Sequence, residues 1–191
     1  MRTNEAQYLL GHLRAMPYPT PKHLKDLFVT DRKDSTEHEL HGTVRCGCSS
    51  ETFHPLYVAN RVEDRGQHFL QVVEVGEQWF CRIGARCASC GREHLLFDDH
   101  FHGWNGYVCT DAQVRLIQRP PFQEWVCHKC GATTHRVALS IQGEDIDSAL
   151  TEGEDTLTEA DWFEAFGWIT VDVTCSACGC GPTRIIDHET M

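Results

Sequence analysis

The chain contains the stretch Cys87-Ala88-Ser89-Cys90-Gly91 and, further on, the stretch Cys175-Ser176-Ala177-Cys178-Gly179. Each is preceded by another cysteine pair, Cys46-Gly47-Cys48 in the first half and Cys127-His128-Lys129-Cys130 in the second. Two thiolates on a tight turn bind one metal ion together, and a second such turn supplies the other two ligands of a tetrahedral site. Glycine after the second cysteine permits the positive φ that such a turn needs. Four turns in matched order therefore indicate an internal repeat of two metal-binding units.

The repeat predicts two zinc ions per chain, because zinc in structural sites takes four tetrahedral ligands such as cysteine thiolates. The predicted ligands are Cys46, Cys48, Cys87 and Cys90 in site one, and Cys127, Cys130, Cys175 and Cys178 in site two. Only one residue separates Cys46 from Cys48, so this turn is either strained or contains a cysteine that is not a ligand. Cys180 competes with Cys178 for site two, and Cys178 is preferred because it matches the place of Cys90.

The expected fold is a small, metal-stabilised α+β protein that is mainly β. We predict a helical N-terminal extension over residues 1–41, a zinc-ribbon-like unit over 42–118 with a His/Trp loop, and a second such unit over 119–191 with an acidic insertion. Alternating apolar residues predict strands at Phe53–Val58, Phe69–Val75, Trp79–Ala85, Arg136–Ile141 and Trp168–Val173. Units of this size bury little apolar surface, so the metal must supply much of their stability.

Alignment of the two units assigns roles to the remaining cysteines and histidines. It places Cys81 opposite Ile169, which predicts that Cys81 is a buried apolar residue and not a ligand. It also places His100 opposite His188.

The segment Asp98-Asp99-His100-Phe101-His102 has the best claim to chemistry outside the cysteine turns. Histidines at i and i+2 project to the same side of an extended strand, a carboxylate of Asp98 or Asp99 can orient an imidazole, and Cys109 is a further soft ligand. A third metal site or a catalytic zinc is one interpretation. Structural packing of an aromatic hairpin loop is the preferred interpretation, because an open zinc site needs three convergent protein ligands.

The distribution of charge indicates which class of macromolecule the protein is suited to bind. The net charge is -11, and residues 122–191 contain only Lys129, Arg136 and Arg184 against 13 acidic residues. Affinity for phosphate comes from Lys and Arg, so the second unit is a poor match for nucleic acid. Nine acidic residues and no Lys or Arg lie between Glu144 and Glu164. This insertion is either a solvated loop and helix that closes the core, or a docking surface for a basic protein.

The cellular compartment follows from the cysteine usage. The sequence has no run of 18 apolar residues and no secretory signal pattern, and its 11 cysteines are an odd number. These features predict a cytoplasmic protein with reduced thiols and no membrane segment. The alternative, a secreted disulfide framework, does not account for the glycines in the turns.

The residues from Cys46-Gly47-Cys48 through Cys87-Ala88-Ser89-Cys90-Gly91 to Leu96-Phe97-Asp98 and His102-Gly103-Trp104 resemble bacterial zinc-ribbon proteins of uncharacterised function. The resemblance covers residues 42–109. The resemblance implies metal-bound cysteines and does not imply any particular activity.

The sequence as a whole favours a non-enzymatic, zinc-binding protein-interaction module, with no predicted catalytic residue and no organic cofactor. Phosphate-binding loops, nucleophile elbows and His-Glu-x-x-His helices are absent from the sequence. The alternatives are a metal-dependent enzyme that uses the His100/His102 loop, a nucleic-acid-associated zinc ribbon, and a protein that neutralises a basic toxin.

Overall fold

The structure is a computed structural model, and it describes residues 18–109, 118–153 and 156–190. The strands are β1 (Phe28–Thr30), β2 (Glu39–Val44), β3 (Phe53–Val58), β4 (Asn60–Asp64), β5 (Gln67–Gln71), β6 (Val73–Val75), β7 (Gln78–Phe80), β8 (Arg82–Cys87), β9 (Glu93–Asp98), β10 (Gln123–Glu124), β11 (His135–Gln142), β12 (Trp168–Cys175) and β13 (Thr183–Glu189). The helical elements are the α-helix α1 (Ile146–Glu152), the 3-10 turns Lys22–Leu24 and Trp162–Glu164, and the π-helical turn Asn105–Cys109. The prediction of a mainly β fold is confirmed.

Each unit of the repeat follows the same order along the chain. A first strand leads to the first cysteine turn, a second strand follows that turn, and the second cysteine turn joins a third strand to a fourth; in the first unit β4 to β7 are inserted between the second and the third. These four strands are β2, β3, β8 and β9 in the first unit, and β10, β11, β12 and β13 in the second. In both units the last three strands form an antiparallel meander, β3-β8-β9 and β11-β12-β13.

The first strand of each unit pairs with the other unit. β2 lies along β11, where Thr43 is opposite Ala138, and β10 lies along β3, where Glu124 is opposite Leu56. Thr43 and Glu124 each lie three residues before the first cysteine of their own unit, so the two exchanges occur at equivalent positions. Among the described residues the exchange produces a single nine-stranded sheet. Strand pairs therefore join residues on both sides of the predicted boundary between 118 and 119.

Phe53 and His135 occupy equivalent positions at the junction of the two repeats. Phe53 is the partner of Cys87 in the first unit, and His135 is the partner of Cys175 in the second. Phe53 and His135 also pair with each other across the junction of β3 and β11. The strand pairing of the two repeats is thus symmetric about this residue pair.

A β-bulge recurs at the same place in both meanders. The register shifts between Ile83 and Gly84 on β8, and between Val171 and Asp172 on β12. Such a bulge adds one residue to the facing strand and bends it. The resulting register corrects the sequence alignment: His188 faces Ile169.

The same hydrogen-bonding position in the first unit is held by Asp99. Its N–H donates to the carbonyl oxygen of Cys81 at 3.2 Å. His188 therefore corresponds to Asp99, and the predicted match of His188 with His100 is wrong by one residue. The offset arises after the second cysteine turn, because Thr183 lies five residues after Cys178 whereas its counterpart His94 lies four residues after Cys90.

The N-terminal segment differs from the predicted helical extension. Its described part contains the 3-10 turn Lys22–Leu24, β1 and the beginning of β2. Three prolines before Lys22 shorten any helix there, and the β-branched Val29 and Thr30 pair with β2 instead. Residues 1–17 of the predicted helical extension lie outside the described residues.

The main hydrophobic core contains buried residues from both units, including Ile83, Phe97, Ile141 and Ile169. A second, smaller cluster forms around Ala149, Leu157 and Ala165, between α1 and the 3-10 turn Trp162–Glu164. It receives side chains from the loop that follows β9, described below. Within the described residues no helix is long and apolar enough to cross a membrane.

The loop over residues 101–109 packs onto the second unit. The N–H groups of Trp104 and Asn105 donate to the carbonyl oxygens of Phe166 and Thr190 at 2.9 and 2.7 Å. Gly103 has a φ of 70°, and a Cβ there would lie 2.6 Å from the Thr190 side chain. The loop thus depends on a glycine for its close approach, and it connects the end of β9 to the end of β13.

We predict that Gly42→Ala lowers the free energy of unfolding by about 2 kcal/mol, because overpacking a filled site costs that order of energy. Gly42 lies in β2 between β1 and β11, and an added methyl group would collide with the carbonyl oxygen of Val29 and the ring of Phe28. Urea unfolding of the metal-loaded protein measures the loss. Gly47→Ala is the control, since the nearest atom to its Cβ would be on Arg92 at 3.9 Å. Equal stability of the two variants would contradict the role of β2.

Candidate metal centres

The first cluster joins the turn after β2 to the turn after β8. The sulphur atoms of Cys46 and Cys90 lie 3.6 Å apart, and those of Cys48 and Cys87 lie 3.5 Å apart. All four sulphur atoms lie within 4.8 Å of one another. Cys46 and Cys87 are buried and their partners are exposed, so the cluster lies at the edge of the core with one side toward solvent.

The second cluster is built in the same way from the turns after β10 and β12. The sulphur atoms of Cys127 and Cys178 lie 3.8 Å apart, and those of Cys130 and Cys175 lie 3.6 Å apart. These four sulphur atoms also lie within 4.8 Å of one another. Cys180 is outside this group, so the structure brings together the four residues that the repeat predicted.

These distances fit a tetrahedral metal site. With a metal–sulphur bond of 2.3 Å, the sulphur atoms of a tetrahedron are separated by about 3.8 Å. A disulfide would need a separation of about 2.05 Å, and the described cysteines are free thiols. The structure therefore contains two groups of four cysteines positioned to hold metal ions.

Backbone conformation positions the sulphur atoms in three of the four turns. In each of these a glycine closes the turn with φ near 70°, at Gly91, Gly131 and Gly179. The glycine N–H donates to the carbonyl oxygen of the first cysteine of the turn at 2.9 to 3.0 Å. A residue with a Cβ is strained at such a φ, so the sequence needs glycine at these places.

The remaining turn, Cys46-Gly47-Cys48, is one residue shorter. Here Ser49 takes the positive φ, 70°, and its N–H donates to the carbonyl oxygen of Cys46 at 2.7 Å. Both cysteines keep their sulphur atoms in the cluster. Of the two expectations for this turn, the structure therefore shows local strain, carried by a non-glycine residue, and not the loss of a ligand.

Amide groups of the turns favour thiolate at one cysteine of each cluster. Burial raises the pKa of Cys87, but the N–H groups of Cys90 and Ser89 outweigh it and lower that pKa to about 6. The N–H group of Cys178 lowers the pKa of Cys175 to about 6 against the effect of burial. Both cysteines occupy the same place in the repeat.

The neighbouring thiols oppose further ionisation. The N–H group of Cys48 lowers the pKa of Cys46, yet burial and the adjacent thiols raise it to about 11. Likewise the N–H group of Ala132 favours the thiolate of Cys130, while the surrounding thiols and burial raise its pKa to about 12. Four thiols this close cannot all ionise alone, and a bound cation would supply the compensating charge.

His94 is a neighbour of site one that the sequence reading missed. Its Nε2 lies 3.4 Å from the sulphur of Cys46, where an imidazole N–H can donate to a thiolate. Burial, followed by the charge of Arg92, lowers the pKa of His94 and favours the neutral ring. The position is held by Thr183 in the second unit, so the repeat gave no signal for it.

Asp98, Asp99 and His100 form a third group with ligand atoms within 4.8 Å of one another. Asp98 is fully buried, and its Oδ2 accepts hydrogen bonds from Arg82 at 2.7 Å and Arg119 at 3.0 Å. Its Oδ1 accepts the N–H of His100 at 3.1 Å. Two guanidinium groups thus neutralise the carboxylate that a cation would need, and the arrangement is an ion-pair network.

Asp99 and His100 are held by their own neighbours. Asp99 accepts the N–H of Cys81 at 3.0 Å, and burial raises the pKa of Asp99 to about 7. The ring of His100 meets the ring of Phe80 edge to face at 5.1 Å.

Cys81 is 1% exposed, which confirms its prediction as a buried apolar residue. Cys109 is exposed at the end of the π-helical turn.

His102 does not join the acidic group. Its Nδ1 accepts the N–H of Asp98 at 3.0 Å, and its ring stacks on that of His23 at 3.7 Å with an interplanar angle of 4°. His23 in turn contacts the carbonyl oxygen of Leu96 through Nε2 at 3.1 Å. The predicted pair His100 and His102 is therefore divided between two environments. His23, which has no motif around it, is the partner that sequence reasoning did not find.

We predict that acid destabilises the wild-type protein more than the variant His102→Asn, which keeps an acceptor for the N–H of Asp98. Burial, helped by the charge of His23, lowers the pKa of His102 to about 3. The unfolded chain binds a proton near pH 6.5 and the folded chain does not, so stability is lost as the pH falls below 6.5. Between pH 7.5 and 5.5 the wild type should lose about 1 kcal/mol more than the variant.

The comparison is made by urea unfolding at both pH values with the same excess of zinc, so that acid effects on the cysteine sites are common to both proteins. His38→Asn, at an exposed histidine, is the control and should behave as the wild type does. An identical loss in wild type and His102→Asn would show that the stacked pair does not resist protonation.

Comparison with known proteins does not assign the chain to a family. No family model, no curated protein and no solved structure matches it. The chemistry of the two cysteine clusters is therefore the observation from which a function is inferred.

Proposed function

We propose that this protein is a zinc-binding protein-interaction module without catalytic activity of its own. The observation that carries the proposal is the pair of four-sulphur clusters, each with sulphur separations of 3.5 to 3.8 Å. Tetrahedral sulphur sites are taken by zinc or by iron. Zinc is favoured because it has no redox chemistry, and sites that are partly exposed to solvent then stay stable.

Closed coordination supports a structural role. Four protein ligands occupy all the coordination positions of a tetrahedral zinc ion, whereas a catalytic zinc keeps one position open for water or substrate. Each cluster also closes a long loop of the chain. Cys46 and Cys90 are 44 positions apart, and Cys127 and Cys178 are 51 positions apart. Binding metal in such sites is coupled to folding. The similarity of each unit to a zinc ribbon remains a prediction.

We predict that the purified protein contains two zinc ions per chain, and that Cys87→Ser and Cys175→Ser each remove one of them, because each removes one ligand from a different cluster. Elemental analysis of the purified chain gives both the metal and its count. Cys109→Ser is the control, since this exposed thiol belongs to neither cluster. A folded, metal-free wild type would overturn the proposal, and iron in place of zinc would overturn the choice of metal.

Part of the charge of the acidic insertion is used within the fold. Three of its carboxylates have structural partners. Asp145 caps the N-terminus of α1, Asp161 accepts the hydroxyl of Tyr107 at 2.9 Å, and Glu164 accepts the backbone N–H of Lys22 at 2.8 Å. These contacts fit the interpretation that the insertion closes the core.

Other carboxylates of the same segment face solvent. Glu144, Asp147, Glu152 and Glu159 are exposed on one short stretch of chain. Clustered carboxylates create a negative potential that accelerates encounter with a positively charged protein, and this effect is screened by salt. A basic protein is therefore the proposed partner, and nucleic acid is disfavoured by the same charges.

The enzyme interpretation has less support in the structure. His102 is committed to the N–H of Asp98 and to His23, and Asp98 is committed to two arginines. A hydrolytic zinc site would need these groups to be free and convergent. The loop is better explained by its packing against Phe166 and Thr190.

We predict that the triple variant Glu144→Gln, Glu152→Gln and Glu159→Gln slows association with the basic partner and reduces its dependence on salt, without loss of zinc. The partner is the protein recovered with the tagged native chain from its own cells. Stopped-flow or surface-based kinetics at several salt concentrations measure the association rate. The matched control removes three negative charges elsewhere, by Glu37→Gln, Asp64→Asn and Glu77→Gln. If both triple variants behave alike, the insertion is a solvated element and not the docking surface.

A further inference from the structure

The hairpin formed by β6 and β7 carries the most exposed large apolar side chain in the described part of the protein. Trp79 on β7 is 57% exposed, whereas the next residue, Phe80, is 1% exposed. Successive side chains of a strand point to opposite faces, so the burial of Phe80 directs Trp79 outward. We propose that Trp79 and Glu74 form a recognition site for an arginine side chain of a partner protein. This inference rests on the proposed protein-interaction role and adds a contact outside the acidic insertion.

The indole ring of Trp79 has no partner within the fold. The other four tryptophans contact side chains of their own chain, and they are Trp104, Trp125, Trp162 and Trp168. Among residues 18–109, 118–153 and 156–190, the ring of Trp79 has no aromatic, cationic or hydrogen-bonding partner. A single exposed apolar residue is common on protein surfaces, but tryptophan is enriched among the residues that dominate binding energy at interfaces. An exposed tryptophan without an internal partner is therefore suited to anchor another protein.

The end of the hairpin is accessible on both faces. Val75 lies opposite Gln78 and is 48% exposed, while Glu74 lies opposite Trp79 and is exposed as well. β6 and β7 form a two-stranded sheet of their own, separate from the nine-stranded sheet. A partner can thus reach Trp79 without displacing a strand of the main sheet.

Glu74 gives the exposed ring a negatively charged neighbour. Because the two residues are directly opposite in the register, their side chains lie on the same face of the hairpin, with Cβ atoms about 5 Å apart. Glu74 has no ion-pair partner among the described residues, and the chain contains no Lys or Arg from Gly66 to Cys81. No cation of the hairpin itself therefore competes for the ring or the carboxylate, and the charge selects a positively charged side chain.

Arginine is the cation that fits both groups. Its planar guanidinium stacks on an aromatic face while its N–H groups remain free to donate to a carboxylate. The fold uses this stacking elsewhere: Arg61 lies over the ring of Trp125 at 4.4 Å, and Arg82 lies over the ring of Phe122 at 4.7 Å. Tryptophan gives the strongest contacts of this kind. Trp79 offers the same kind of aromatic face to a cation from outside the chain.

The test uses the full, zinc-loaded chain and the synthetic peptide acetyl-Gly-Arg-Gly-Arg-Gly-amide, at about 0.15 M salt, where exposed charges are screened beyond about 8 Å. NMR of the nitrogen-labelled protein reports the indole N–H of each tryptophan. We expect the Trp79 resonance to shift with peptide, while that of Trp168, whose N–H is bonded to Asp187, stays in place. Trp79→Leu should weaken binding about fivefold, as loss of an exposed cation–π contact does, and Glu74→Gln should weaken it about twofold.

Matched peptides and variants test the choice of arginine. Glu37→Gln removes an exposed carboxylate elsewhere and should bind the peptide as the wild type does. The same peptide with citrulline, which is uncharged, should not shift the Trp79 resonance, and the peptide with lysine should bind more weakly. Equal binding of the citrulline or lysine peptide would reject an arginine site.

Zinc is counted in every variant, so that lost binding is not mistaken for lost folding. A wild-type chain without zinc contradicts the proposed function. A chain with two zinc ions whose Trp79 resonance does not move with the arginine peptide contradicts only this site, and so does a Trp79→Leu variant that binds the peptide as tightly as the wild type. The insertion variant Glu144→Gln, Glu152→Gln and Glu159→Gln should retain the Trp79 shift, which keeps the test of the hairpin separate from the test of the insertion.

Discussion

The rest of the structure depends on the close approach of four sulphur atoms from turns that are far apart in the chain. Cys46 and Cys90 are 44 positions apart, Cys127 and Cys178 are 51 positions apart, and yet their sulphur atoms meet within 3.6 and 3.8 Å. Closing such loops costs chain entropy, and bringing thiolates together without a cation adds repulsion. A divalent ion offsets both costs at once, because it binds the thiolates and holds the loop ends together. The strands β8 and β12 run directly into these clusters, so the sheet is anchored at the two groups of cysteines.

Exchange of the first strands makes the two metal centres parts of one folded body. β2 leads into site one but pairs with β11, and β10 leads into site two but pairs with β3. Loss of order at one cluster therefore removes strand pairing from the other unit as well. The contact of Phe53 with His135 lies at the centre of this arrangement. Small metal-stapled units usually bury too little surface to stand alone. Here the exchange gives them a shared core, to which Phe97 and Ile141 both belong.

The polar groups of the molecule fall into sets with different chemical capacities. Asp98 and its two arginines form a buried ion-pair network. Removing one partner of a buried ion pair destabilises a protein strongly, because it leaves an uncompensated charge in the interior. The stacked rings of His23 and His102 are held neutral by burial. Both sets of contacts hold the residues at the end of β9 and in the loop that follows it, so these residues have a structural role.

Local sequence was sufficient for the features that depend on spacing. The cysteine turns predicted which eight sulphur atoms meet, and alternation predicted β3 at Phe53–Val58, because both signals lie within a few consecutive residues. Partner choice was not predictable in this way. Three features depend on contacts between distant segments of the chain. These are the pairing of β2 with β11, the match of His188 with Asp99, and the approach of His94 to Cys46. An exchanged strand leaves the hydrophobic periodicity of each segment unchanged, so only the tertiary structure decided these features, through the packing of both repeats into one core.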